Sequence, residues 1–261
     1  MFAAKMFGTK MFIKKLPLTL NLFQWDFMEY NTLPEVEIAH NNLQKQSDFT
    51  KFLGDMYTFT KEHSIELGVR LVHRHLQVDE GKIMIEKFQF DHNSPSLITS
   101  ADYPTDQAYP ASWLLKNDGS LLVFEYSTDA HVKRSLEKLN NRPRIFVEFC
   151  KLIMEYHLED LLAPCITARD SLRFFKKVGF LENTCFKHRI SIVKSKNDVV
   201  IDNEQGPIIA TLWAYIVNDS CFGTEGGENR LDCYSCTHCN SCSSCCACCP
   251  SKPKTYLVVK K

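Results

Sequence analysis

The first strongly periodic segment of the chain is helical. Apolar side chains recur at a spacing of three to four residues from Phe49 to Tyr57, which is typical of one face of a helix. Ser47 and Asp48 stand just before this segment, and both residue types cap helix N-termini. The pattern therefore predicts a helix that begins next to these two residues.

Two pairs of apolar segments separated by short turn signals follow. Residues 67–78 and 82–90 have strand-like patterns, and Asp79-Glu80-Gly81 lies between them. Residues 112–126 repeat the arrangement around Asn117-Asp118-Gly119, a favoured turn sequence. The sequence therefore predicts two β-hairpins.

The second half of the chain is predicted to be helical first and extended afterwards. Residues 128–140 begin at Thr128, a capping residue, and carry an apolar stripe. Residues 142–162 have Pro143 near their start, where a first helical turn tolerates proline. The remaining predicted elements are a short helix between Asp170 and Gly179 and strands at 187–195 and 207–217. This order indicates an α+β fold, in which an antiparallel sheet built from hairpins packs against helices.

Both ends of the chain have a composition unlike the region between them. The N-terminal residues 1–23 repeat the unit M-F-x-x-K three times, and residues 220–261 form a cysteine-rich tail. Between them, residues 24–219 contain the predicted helices and strands. We therefore expect one globular α+β domain with a low-complexity extension at each end.

The net charge of zero hides an uneven distribution. Residues 1–25 and 252–261 each carry four lysines and no acid, so 23 of the 31 basic residues lie among all 31 acidic ones. An acidic body does not favour binding to phosphate backbones, and we expect no nucleic-acid partner. The sequence identifies no other partner and no oligomeric state.

The N-terminal extension is basic and free of acids, as mitochondrial presequences are, yet its first 23 residues lack arginine and serine. No apolar run approaches the roughly 18 residues that span a bilayer. We expect a cytoplasmic protein, with a mitochondrial location, or membrane association through the tail, as alternatives.

The tail concentrates cysteine: eight of the 12 cysteines fall within residues 233–249. Pairs spaced C-x-x-C suit soft metals, so these thiolates are candidate ligands for Zn²⁺ or Cu⁺. His238 lies among them. The candidate ligands are Cys233, Cys236, Cys239, Cys242, Cys245, Cys246, Cys248 and Cys249.

Other interpretations of the tail stay open. Cys239, Cys242, Cys245 and Cys249, followed by Pro250, match the spacing of iron–sulfur ligands. However, cysteine at every third position produces this spacing almost automatically, so an iron–sulfur cluster is the weaker metal hypothesis. The string could instead be S-acylated for membrane attachment, form disulfides in an oxidising compartment, or be a low-complexity extension without a ligand.

His73 and His75 form a second candidate site. If they lie on a strand they share one face, with Arg70 and Arg74 on the other, and with Glu80 nearby they could hold a divalent metal. The alternative is a half-buried strand whose two histidines are structural and hydrogen-bond across the hairpin.

The segments that contain these residues resemble a group of uncharacterised fungal proteins. The likeness covers roughly residues 60–217 and consists of an L-V-H-R-H strand, an acidic-glycine turn, a Trp-containing hairpin ending near a glutamate, and a late Trp strand. The resemblance implies no activity. It singles out His73, Arg74, His75, Glu80, Gly81, Trp113, Gly119, Glu125 and Trp213.

The chain contains no glycine-rich phosphate loop, dinucleotide fingerprint, nucleophile elbow or H-E-x-x-H motif, so we expect no nucleotide cofactor. The sequence favours a non-enzymatic binding protein whose tail chelates Zn²⁺ or Cu⁺, without deciding the question. The alternative is a metal-dependent enzyme or small-ligand binder that uses His73 and His75.

Overall fold

The structure is a computed structural model that describes residues 25–88, 96–102, 107–169, 180–185, 190–195, 208–214 and 254–259. The described helices are α1 (Phe27–Thr32), α2 (Val36–Leu43), α3 (Phe49–His63), α4 (Ala130–Asn141) and α5 (Pro143–Glu155). The described strands are β1 (Leu67–Leu71), β2 (Lys82–Phe88), β3 (Ser96–Asp102), β4 (Tyr109–Leu115), β5 (Leu121–Ser127), β6 (Leu162–Ile166), β7 (Phe180–Cys185), β8 (Ile190–Ser195), β9 (Ile208–Ala214) and β10 (Lys254–Val259).

The strands form one mixed sheet in the order β10-β9-β1-β6-β4-β5-β2-β3-β8-β7. Among the described pairs, β2 and β5 run parallel and the others antiparallel. Helices and a mostly antiparallel sheet make the fold α+β, which confirms the predicted class.

The hairpin predicted at residues 117–119 is confirmed. β4 pairs with β5 across the turn, Gly119 has a φ of 83°, and its amide donates to Lys116 O at 2.7 Å. Glycine accepts this left-handed conformation without a steric cost. The helix predicted at Phe49 is also present as α3, with Asp48 at its N-cap position.

The hairpin predicted at residues 79–81 is wrong. β1 pairs with β6 and β9, whereas β2 pairs with β3 and β5. Three strands, β6, β4 and β5, therefore separate β1 from β2 in the sheet. Residues 72–81 cross over these strands instead of turning back beside β1, and we call them the strap.

Two of the predicted helices have different ends in the structure. Asp129, not Thr128, caps α4, because its side chain accepts the amide hydrogen of His131 at 2.7 Å. The helix predicted over 142–162 ends at Glu155, where His157 adopts a φ of 53°, and the sequence after it forms β6. The short helix predicted after Asp170 lies outside the described residues.

Helices α2 to α5 cover one face of the sheet, which we call the helix face. Alternate strand residues such as Val69, Leu71 and Trp113 point into it and pack against α3 and α5 side chains, Phe52 and Phe149 among them. The opposite face, the strap face, is covered by α1 and the strap. Its apolar cluster consists of Tyr30, Val72, Leu76, Val78, Met84, Leu114, Phe124, Ala163, Cys165, Leu212 and Ala214.

The last described element belongs to the predicted tail. β10 pairs antiparallel with β9, and Lys254 lies opposite Ala214 in the register. The segment expected to be separate from the body therefore returns to the same sheet after the cysteines.

Candidate functional site

A layer of buried charged side chains lies between the strap and the sheet. Its centre is Glu125 of β5, whose side chain is 1% exposed. The pairing of β4 with β5 shifts register on both sides of Ser112, which lies opposite Glu125. Bulges of this kind change the direction of a side chain. Glu125 consequently shares the strap face with its bulged neighbour, Phe124.

Three residues contact the Glu125 carboxylate. Arg70 of β1 forms an ion pair with Oε2, and Ser112 Oγ donates to the same oxygen at 3.4 Å. His75 Nε2 of the strap lies 2.7 Å from Oε1. This contact is at hydrogen-bond and ion-pair distance, and both the hydrogen bond and the charge of the imidazole favour the ionised Glu125 carboxylate.

The geometry corrects the predicted faces of this segment. β1 ends at Leu71, so His73 and His75 belong to the strap and not to a strand. Arg70 was predicted to point away from the histidines. Instead, Arg70 and His75 converge on Glu125 because the strap folds back across the strap face.

His73 occupies the position next to His75. The ring centroids of the two histidines are 4.4 Å apart, and His73 Nδ1 lies 2.8 Å from Leu71 O. Both side chains are buried. A ring nitrogen that faces a carbonyl oxygen carries a proton, which leaves Nε2 of neutral His73 as an acceptor.

The strap is also attached to the segment around α1. The His75 amide donates to Tyr30 Oη at 3.1 Å, and the Arg74 amide donates to Pro34 O at 2.8 Å. Asn31 forms a two-way pair with Val78, donating to its carbonyl at 2.7 Å and accepting from its amide at 2.9 Å. These bonds join α1 and the strap into one cover.

A second buried ion pair lies beside the first. Arg169, which follows β6, pairs with Glu86 of β2 at 2.6 Å and donates to Ala111 O at 3.2 Å. Both side chains are less than a tenth exposed. The layer therefore contains two guanidinium groups, two carboxylates and two imidazoles.

Electrostatics in the layer favour the ionised carboxylate. Burial alone would raise the pKa of Glu125, but Arg70, His75 and Arg169 outweigh it and hold this pKa well below its usual range. In the same layer, burial raises the pKa of Cys165 to about 11. Cys165 is thus a neutral thiol at physiological pH and not a reactive one.

The predicted metal site at His73, His75 and Glu80 is not assembled in this conformation. Glu80 is exposed at the end of the strap, whereas both histidines are buried. His75 contacts Glu125 instead, and Arg70 occupies the other carboxylate oxygen. In the part of the chain that the structure describes, no group of three His, Cys, Asp or Glu side chains could hold a metal ion.

Sequence reasoning missed several members of the layer. It reached Glu125 only through the fungal resemblance, and it gave no role to Ser112, Cys165, Glu86 or Arg169. A signal was present: one charged residue interrupts the otherwise apolar "LGVRL" and only one charge occurs in "LLVFEYS". A lone charge in a buried strand needs a partner, because its burial unpaired is costly.

The tail cysteines, from Cys233 to Cys249, lie outside the described residues. Residues 215–253 connect β9 to β10, which lie side by side, so the cysteines belong to a connection whose two ends meet.

No protein-family model, curated protein or solved structure matches the chain. The resemblance to the fungal group stays a prediction. Within the described ranges, no helix is both long and apolar enough to cross a bilayer.

Proposed function

We propose that the protein is a non-enzymatic binding protein whose cysteine-rich connection chelates Zn²⁺ or Cu⁺. The observation that carries this proposal is the density of soft ligands: eight cysteines within residues 233–249, six of them at every third position. Thiolates at C-x-x-C spacing form tetrahedral sites with four ligands each. Eight thiolates suffice for about two Zn²⁺ ions per chain.

The pairing of β9 with β10 on either side of the cysteines supports this proposal. Lys254 of β10 lies opposite Ala214 of β9, so residues 215–253 form a closed connection. Pairing of these strands reduces the conformational freedom of the connection before any metal binds. Metal binding in turn restricts the same residues, and each process therefore favours the other.

The position of β10 determines how the proposal must be tested. A truncation before the cysteines would also remove β10 and expose the edge of β9. Substitution of all eight tail cysteines by serine removes the thiolates and keeps the strand. The matched control is the His73→Ala/His75→Ala variant, which keeps the tail and removes the alternative metal ligands.

The experiment measures metal and acid-labile sulfide per chain in anaerobically purified full-length protein. We expect about two Zn²⁺ ions or several Cu⁺ ions in the wild type and in the histidine variant, and none in the serine variant. Equal metal content in the serine variant would refute the proposal. Loss of metal only in the histidine variant would indicate that the metal binds at the strap histidines and not at the tail cysteines.

Two further measurements separate the other interpretations of the tail. Acid-labile sulfide in proportion to iron would indicate an iron–sulfur cluster instead of a Zn²⁺ or Cu⁺ site. An intact mass increased by fatty acyl chains, and restored by hydroxylamine, would indicate S-acylation and membrane attachment. Metal-free protein in which all 12 thiols are free and unmodified would contradict every ligand hypothesis for the tail.

A further inference from the structure

The strap has an unusual position because it must span the middle of the sheet. It leaves β1, crosses above β6, β4 and β5, and enters β2. Side chains from each crossed strand lie beneath it, including Cys165, Ser112 and Glu125. The strap itself is irregular backbone with no strand pairing over residues 72–81. Its place on the sheet therefore depends on side chains and a few isolated hydrogen bonds.

Two kinds of side chain hold the strap to the sheet. Val72, Leu76 and Val78 bury apolar surface in the strap-face cluster. This contribution is favourable but non-directional, since it follows the area removed from water. His75 instead contacts one particular oxygen of Glu125, and Arg70 fixes the carboxylate from the other side. These contacts are directional, so they favour one position of the strap along the sheet.

We propose that Arg70, Glu125 and His75 form a latch that holds the strap in a single position over the strap face, and that breaking the latch releases the strap without unfolding the helix face. Released in this way, the strap opens the strap-face cluster together with Arg70 and Glu125 to solvent. The latch is thus a conformational device built on residues of three distant segments.

The energetics of buried ion pairs indicate that these charged residues fix the position of the strap and do not mainly add stability. A buried ion pair adds little stability compared with apolar side chains of similar size, because desolvation offsets the attraction. Loss of one partner is costly, however, since a charge is left buried. A strap that shifts along the sheet without opening leaves a charge buried without its partner, so only the closed and the fully open positions avoid this cost. An apolar contact of the same area carries no such penalty.

The hydrogen bonds of the strap are consistent with release as one unit. Apart from the Val72 amide, which donates to Leu161 O at 2.8 Å, the bonds of the strap backbone described above run to the segment around α1. That helix has six residues, too few to be stable alone. Segments with few backbone bonds to the core open locally at lower free energy than the global transition.

The test measures amide hydrogen exchange in the full-length protein, comparing strap amides with those of the paired strands β1 and β6. The informative substitution is His75→Phe, which keeps an aromatic ring next to Phe124 and Tyr30 but removes the nitrogen that faces Glu125. We expect exchange at Arg74, His75 and Val78 to accelerate by about tenfold or more, which corresponds to about 1.4 kcal/mol. Exchange in β1 and β6 should be unchanged.

The matched control is His75→Gln, whose amide nitrogen can donate to Glu125 from a position similar to Nε2. Exchange in this variant should stay close to the wild-type rate. Wild-type exchange in His75→Phe would show that packing holds the strap and would overturn the latch. Equal acceleration of the strap and of β1 would also overturn it, because the strap would then open only with the whole domain.

A second variant keeps the test decisive if single charge removals fail to fold. Arg70→Met combined with Glu125→Leu removes both charges and leaves apolar side chains of similar size. This variant should unfold globally near the wild-type midpoint while its strap amides exchange rapidly. Strap amides that stay as protected as in the wild type would refute the latch.

Discussion

The two faces of the sheet are covered in different ways. Four helices cover the helix face through aromatic and aliphatic contacts, for example Trp113 against Phe146 with ring centroids 5.1 Å apart. In the part of the chain that the structure describes, one six-residue helix and an irregular strap cover the strap face, where buried charges lie among the apolar groups. Stability on the helix face comes mainly from buried area, whereas order on the strap face depends on particular pairs of atoms.

The largest expected effect is on the helix face. Trp113 is completely buried against α5, so Trp113→Ala should lower the free energy of unfolding by about 4 kcal/mol through lost burial and a cavity. Chemical denaturation measures this change. Trp113→Phe, which keeps an aromatic ring against Phe146, should lose clearly less. Equal losses in the two variants would contradict a packing role for the indole.

A slightly smaller loss is expected for one charge on the strap face. Glu125→Gln leaves the Arg70 guanidinium buried without its carboxylate, and should cost about 3 kcal/mol. Adding Arg70→Met should restore much of that loss, because the unpaired charge is then removed. A double-mutant cycle by denaturation measures the coupling. Additive losses would show that the two side chains act independently.

A steric constraint lies within the sheet itself at Gly68, where β9 approaches β1 closely. A Cβ atom at this position would lie 2.5 Å from Trp213 O and 2.8 Å from the Thr167 Cγ2 atom. Backbone cannot move aside as a flexible side chain can, so Gly68→Ala should cost about 2 kcal/mol. Gly54→Ala is the matched control, because it has open space around it in α3 and a helix favours alanine. A loss at Gly54 as large as at Gly68 would argue against steric crowding.

The smallest expected effect concerns how the stability of the protein changes with pH through the strap face. Because the pKa of Glu125 is lowered by folding, its ionisation stabilises the protein above the unfolded value of about 4.5 and this contribution is lost as pH falls further. Each pH unit below 4.5 should cost up to about 1.4 kcal/mol for this group. The groups that face it are Arg70, His73, His75, Ser112, Cys165 and Arg169, with Glu86 behind Arg169.

Thermal unfolding between pH 7 and 3 measures this response. The Arg70→Met/Glu125→Leu variant should be less acid-sensitive than the wild type, since the titrating group is absent. Trp113→Phe should keep the wild-type acid slope, because it changes only the helix face. An unchanged slope in the charge-free variant would assign the acid response to other carboxylates.

Local features of this protein were predictable, and distant pairings were not. The turn at residues 117–119 carries its own conformational preference, so the β4–β5 hairpin follows from these three neighbouring residues. The similar signal at residues 79–81 failed because the partner of β1 is decided by β6 and β9, far along the chain. A turn sequence shows where the chain bends but not which strands meet.

At the candidate site, too, local features were predictable and contacts between distant residues were not. His73 and His75 stand out as a motif, and their ring centroids lie 4.4 Å apart within the strap. Their relation to Arg70 was predicted wrongly, because alternation along a strand holds only as far as the strand continues, and β1 ends at Leu71. The Arg169–Glu86 pair joins residues 83 positions apart, a separation that no local pattern can indicate.

The place of β1 in the sheet also has a consequence for the order of folding. Its two neighbours, β6 and β9, both come later in the chain, and β10 adds to β9 only after the cysteine-rich connection. During synthesis, β1 has no strand partner until β6 leaves the ribosome, and its other edge is unpaired until β9 follows. Such distant contacts slow folding and leave hydrophobic edges open to wrong partners. For this chain, completion of the described sheet waits until β10 has been translated.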